Sequence, residues 1–305
     1  MKISLALEEL RKIDSIDDTI TDIDLISEVF TEVIQSIYDN KPELQEGEVF
    51  IETLSIKILL ATKSILQIAN GIEISSTKKS PTIKWVDFPS INILTRSMIE
   101  AFLTLEYLFY NDLPESEKNF RFYIWRISGY KSRQNFFENR NIKNDIQKKL
   151  DLEMVEINEL LKKIESSVHY KDLDKQNLWK LDKYGLPRLN SWLNLLEKSI
   201  LNTHQFSIAY KLYSNYAHSE FISLIQMNGI SEFNKGSKEN DLSLTNALRI
   251  VKAINCTSII LLRNKFECTK KTYESIDSKT IKDIIEFWYK FSVSEGTATN
   301  SGYPL

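Results

Sequence analysis

INILTRSMIEAFLTLEYLFY, residues 91–110, is apolar on almost every side of a helical wheel. That pattern reads as a central helix of an all-α protein, buried on several sides. Two charges interrupt it. Arg96 and Glu100 stand in its first half, four residues apart and on one face. Ions removed from water without partners cost several kcal/mol each, so another helix has to answer them. IAYKLYSNYAHSEFISLIQM, residues 208–227, offers Ser214 and His218, also four apart. Arg96 before Glu100 is the weaker order for an intrahelical pair, which points their bonding across helices.

The same helical spacing extends outward from this stretch. Ile20, Ile23, Val29, Phe30, Val33, Ile34 and Ile37 mark a helix ending near Asn40-Lys41-Pro42. A second helix covers 49–70 and stops at Gly71. Residues 72–89 are the best strand-like or loop material, with a turn signal from Ser75 to Pro81. Asp87 or Ser90 can cap the central helix, with Pro89 in its first turn. Helices at 115–140 and 143–167 read as a projecting helical hairpin, and 168–187 as polar and irregular. Further helices follow at 188–202, 205–228, 241–271 and 278–292.

Only 8 glycines and 6 prolines punctuate 305 residues. No linker forces two domains, so 1–292 reads as one all-helical domain. Its parts are an acidic N-terminal segment (1–48), a core (49–228) and C-terminal helices (229–292). A polar tail, 293–305, is expected to be disordered.

Net charge is −3, which gives no global signature of a nucleic-acid binder. Locally the balance is uneven. Residues 1–48 hold 13 acidic and 4 basic side chains, and residues 118–149 hold 9 basic and 2 acidic. The basic stretch interleaves Arg121, Arg126, Lys131, Arg133 and Arg140 with aromatic residues, which suits single-stranded nucleic acid. The same aromatics at helical spacing also suit a core, with the basic residues on the wet face.

No Gly-rich phosphate cradle is present. His204 and His218 would lie about 20 Å apart on one helix, and no C-x-x-C or H-x-x-x-H occurs, so we expect no metal and no cofactor. Ser214 is not on a strand-to-helix elbow, which argues against a hydrolase triad. Cys256 and Cys268 would be about 18 Å apart on a continuous helix and would not pair. The N-terminus lacks a signal-peptide pattern, and the apolar run at 91–110 is broken by Arg96, Glu100 and Glu106. The expectation is a soluble cytoplasmic protein that does not associate with membranes.

Two motifs together, RSMIEAFLTLEYLF at 96–109 and YKLYSNYAHSE at 210–220, resemble the HEPN superfamily of helical bundles, which includes toxins and anti-phage proteins. Many of its members are metal-independent endoribonucleases that work as dimers. The resemblance covers residues 50–228 and makes 49–228 a HEPN-like core. It implies His218 as general base toward a ribose 2′-hydroxyl and Arg96 as the cation that stabilises phosphorane charge. Glu100 and Ser214 complete the candidate catalytic set, and Arg121, Arg126, Lys131, Arg133 and Arg140 the candidate RNA contacts. It also implies a homodimer, with RNA as substrate and a protein partner from a defence operon. Active HEPN ribonucleases carry Arg and His on one helix, as R-x4-6-H. Here Lys211, Leu212 and Tyr213 occupy that window, and Arg96 supplies the cation from another helix. The rival reading is a non-catalytic helical interaction or sensor subunit, in which the same polar groups only fix helix register.

Overall fold

A computed structural model describes residues 15–75, 83–138, 140–228 and 238–293. Most of the Ser75–Pro81 turn signal lies outside these residues, as does the polar tail beyond Val293. The protein is all-α. Twelve α-helices are described: α1 Ile16–Asn40, α2 Val49–Ala69, α3 Phe88–Leu105, α4 Glu115–Phe137, α5 Asn144–Glu165, α6 Lys175–Lys183, α7 Trp192–Lys198, α8 Thr203–Ala217, α9 Phe221–Asn228, α10 Lys238–Lys265, α11 Glu267–Ser275 and α12 Lys279–Ser292. The strand-like segment forms one small antiparallel ladder, β1 Ile72–Ile74 with β2 Ile83–Trp85, in which Ile72 pairs with Trp85. Contacts divide the chain into two compact units, one drawn from 1–107 and 196–305, the other from 108–195.

In the first unit α10 is the hub, packing on α1, α3, α11 and α12. Residues 250–262 of α10 are all buried. The sequence pattern gives that central place to α3 instead. The reason is compositional: α10 hides Lys252, Asn255, Thr257 and Ser258 among its apolar residues, and each is 1% exposed or less. Three of these groups, Lys252, Asn255 and Thr257, are matched on its neighbours. Lys252 Nζ lies 2.6 Å from Asp22 of α1 and 4.8 Å from the ring centre of Trp288 on α12. Asn255 donates to Thr62 of α2 at 2.8 Å, and Thr257 shares a hydrogen bond with Ser292 of α12. α10 is also the one described helix apolar and long enough to cross a membrane by composition, yet 83% of that window is buried within the protein. Helix is interrupted at Phe266, between the two free cysteines, Cys256 and Cys268.

α3 starts as the sequence suggests. Asp87 accepts the Ser90 N–H at 3.0 Å and Pro89 sits in the first turn. It packs on α2, α8 and α10 and buries Ile91, Met98, Ile99 and Phe102, but not its whole circumference. Ile93, Arg96, Ser97, Glu100 and Thr104 form a partly exposed stripe, so Arg96 and Glu100 are not sealed in the core. After Leu105 the helix widens into a π-helical turn, Glu106–Tyr110. Glu106 is 4% exposed; its carboxylate accepts from the Ser199 hydroxyl and, at 2.8 Å, from the Ile200 N–H. Burial raises its carboxyl to about 7 against these two bonds, which favour the ionised form.

The second unit contains the helical hairpin expected at 115–167, with α4 packed on α5. Phe120, Ile124 and Ile127 of α4 meet Leu160 and Ile164 of α5 and Leu181 of α6. The segment expected to be irregular holds a 3₁₀ turn, Val168–Asp172, and α6, which is capped by Asp174. Gly185 (φ 82) is needed where it stands, because a Cβ there would lie 2.5 Å from Ser128 Cα of α4.

Two stability changes are expected from this architecture. Lys252→Met strips the buried Asp22 carboxylate of its cation and should cost about 3 kcal/mol in urea unfolding, whereas the double variant Asp22→Leu/Lys252→Met should recover most of the loss. Glu106 gives a pH signature. Its folded-state pKa exceeds the unfolded value of 4.5, so as pH rises from about 4.5 to about 7 the unfolded chain ionises first and stability falls. Glu106→Gln should flatten that fall in thermal melts across the window.

Candidate functional site

Arg96 projects from α3 toward α8, within the first unit. Its Nε donates to Glu100 Oε1 at 3.1 Å, a bond within one helix turn. One terminal nitrogen donates to the Tyr210 hydroxyl at 3.4 Å; the other lies 3.3 Å from His218 Nε2. Tyr210 in turn donates to Glu100 Oε1 at 3.0 Å, which closes a ring of guanidinium, carboxylate and phenol. The guanidinium carbon also sits 5.2 Å from the centre of the Tyr210 ring. The structure therefore brings Arg96, Glu100 and His218 together from helices more than a hundred residues apart in sequence.

A guanidinium has only hydrogens to offer, so His218 Nε2 is the acceptor and the ring proton belongs on Nδ1 in this arrangement. Arg96 spends three of its five N–H groups on these partners, leaving two that can meet oxygens of an anion. The site is open to solvent. The Arg96 and Glu100 side chains are 18% and 27% exposed, and His218 is exposed.

Local backbone places His218 there. It caps the C-terminus of α8, and the next residue, Ser219, takes a left-handed conformation (φ 52) that turns the chain into α9. The continuous helix expected over 205–228 is thus two helices with the imidazole at their corner. Ser214 shares the face, but its hydroxyl donates to the Tyr210 carbonyl at 2.7 Å and takes no part in the ring. Tyr210 is the member that sequence reading missed, although its spacing of four and eight residues from Ser214 and His218 places it on their face. Burial, first among several causes, raises the Tyr210 hydroxyl above the ordinary tyrosine range, so it stays protonated and able to donate.

The five candidate RNA contacts of 118–149 are engaged inside the second unit. Arg121 pairs with Glu117 at 2.6 Å, Arg126 with Glu156 at 2.7 Å and Arg133 with Glu153 at 2.8 Å. Lys131 donates to the carbonyl oxygens of Leu181 and Asp182, and Arg140 lies 4.2 Å from the Phe136 ring centre. The interleaved aromatics divide: Phe120 and Phe122 are buried, whereas Phe136 is exposed. Among the described residues no cluster of three or more His, Cys, Asp or Glu side chains could hold a metal ion.

No curated protein and no solved structure matches this chain. One family model does, over residues 56–237, more than half of the sequence and the whole span from Arg96 to His218. By that match the chain belongs to DUF5677, a family of unknown function.

Proposed function

We propose that this chain is a HEPN-like protein of a bacterial stress or phage-defence system that cleaves RNA without a metal ion. The observation that carries the reading is the 3.3 Å approach of the Arg96 guanidinium to His218 Nε2, at a solvent-open corner between α3 and the C-terminus of α8. A neutral imidazole and a fixed cation at that distance are what transesterification of a phosphodiester needs. When RNA draws the Arg96 N–H away from Nε2 and onto a phosphate oxygen, the freed Nε2 takes the proton of a ribose 2′-hydroxyl. The 2′ oxygen bonds to the adjacent phosphorus and the P–O5′ bond breaks. The products are a 2′,3′-cyclic phosphate and a 5′-hydroxyl, which takes its proton from the imidazolium or from water. The remaining Arg96 N–H groups face the charge that builds on the phosphorane oxygens. Glu100 and Tyr210 act through Arg96 as positioning residues. The same resemblance supports a homodimer, for which light scattering at micromolar concentration should give twice the chain mass.

The second reading is a non-catalytic interaction or sensor subunit, and one feature favours it. α9 leaves Phe221, Ile222, Leu224 and Ile225 exposed, Phe221 at 77%, on a short helix beside the site. A row of exposed apolar residues suits a protein partner.

Labelled single-stranded RNA incubated with the purified chain in EDTA separates the two. Cleavage should yield 2′,3′-cyclic phosphate ends, and Arg96→Ala and His218→Ala should each slow it at least about a hundredfold at unchanged melting temperature. Intact RNA with the wild-type chain, together with a lower melting temperature for His218→Ala, would instead assign these residues to architecture.

A further inference from the structure

We infer that the first unit has a second binding site, for a mainly apolar small molecule bearing one carboxylate, on the face of α8 turned away from His218. A pocket of about 390 Å³ opens between α8, α10 and α12. That volume falls in the range of small-molecule sites. Ile208 and Leu212 line it from α8, Ile250 from α10, and Trp288 and Phe291 from α12. Two small residues account for the space. Ala209 and Ala253 lie in the pocket lining on α8 and α10, where larger side chains would fill it.

Trp288 is a firm wall, 1% exposed, with the Lys252 ammonium 4.8 Å from its ring centre. Besides Tyr213 and Trp288, the lining residues with polar groups are His204, Gln205, Asn246 and Arg249, and no acidic side chain is among the described lining residues. Arg249 stands one helical turn before Ala253, on the same α10 stripe as Asn246 and Ile250. A guanidinium has five donors in a fork that matches a carboxylate, so it can serve a ligand anion beside its contacts within the chain. Apolar walls with a guanidinium and no acidic side chain in the lining favour an acyl or aryl carboxylate over a cationic molecule. Positions 208 and 212 lie about 200° around α8 from positions 210 and 214, so this pocket and the Arg96 site use opposite faces of one helix. The inference does not depend on RNA cleavage.

Sodium decanoate and 1-decanol, titrated calorimetrically into the full chain, test it. Decanoate should bind at least tenfold more tightly than decanol. Ala253→Leu, which fills the pocket, should weaken decanoate at least tenfold while keeping the wild-type circular dichroism spectrum, and Ala209→Leu should repeat the effect from the facing helix. Arg249→Met should weaken decanoate about tenfold and leave decanol unchanged. No decanoate binding at millimolar concentration, binding indifferent to both alanine variants, or equal affinity for acid and alcohol would each overturn the assignment.

Discussion

A single buried ammonium ties the first unit together. Lys252 sits in the middle of α10, the helix on which α1, α2, α3, α11 and α12 pack. It bonds to Asp22 of α1 and lies over Trp288 of α12. The desolvation of two ions offsets most of their attraction, so the pair adds little net stability. What it does is penalise misalignment. A slip of α1 or α12 along α10 would leave a charge in the core without its partner, at a cost far above that of a misplaced methylene. Asn255 to Thr62 and Thr257 to Ser292 repeat the constraint farther along the same helix. With α10 fixed, α3 is fixed against it, and α3 and α8 hold the guanidinium and imidazole in place.

Much of this was legible in the sequence because charge inside an apolar helix is rare and has to be explained. Arg96 and Glu100 marked α3, and Ser214 and His218 marked the helix that meets it. The limits have physical causes. Tyr210 escaped notice because a tyrosine at helical spacing is equally at home in a core. The corner at Ser219 carries no glycine or proline, so nothing in the chain announces that the helix ends at Ala217. α10 is harder to read as central than α3 because its buried polar residues lower its apparent hydrophobicity, although Lys252, Asn255 and Thr257 each find a partner on a neighbouring helix. The basic run at 118–149 suggested a polyanion surface. The acids that answer it, Glu153 and Glu156, come from the next helix, beyond any local window of sequence.

α8 shows how one short helix can present two chemistries. Its residues at 210, 214 and 218 face α3 and the charged ring, while 204, 208 and 212 face an apolar pocket. With 3.6 residues per turn the two rows are separated by a little over half a revolution. Neither row is wholly apolar, which explains why the helix shows less amphipathic contrast than its burial would suggest. Both rows end on groups suited to oxyanions, Arg96 on one side and Arg249 on the other, supplied by neighbouring helices rather than by α8 itself.

The setting of Arg96 bears on why the ring exists at all. A partly exposed ion pair within one helix contributes at most a few tenths of a kcal/mol, so stability alone is a weak reason to place Arg96 and Glu100 on α3. The cost of the arrangement is also visible: α3 gives up apolar contact along the stripe from Ile93 to Thr104. An architectural network would gain from being closed, since low dielectric strengthens each bond and removes competition from water. Here the carboxylate and phenol hold the inner side of the guanidinium, while its outer side and the imidazole face solvent. That asymmetry fixes the cation's orientation without using up its donors. It separates this ring from the sealed Lys252–Asp22 pair, whose partners are both internal, and it is the feature on which the proposed contact with an anion from outside rests.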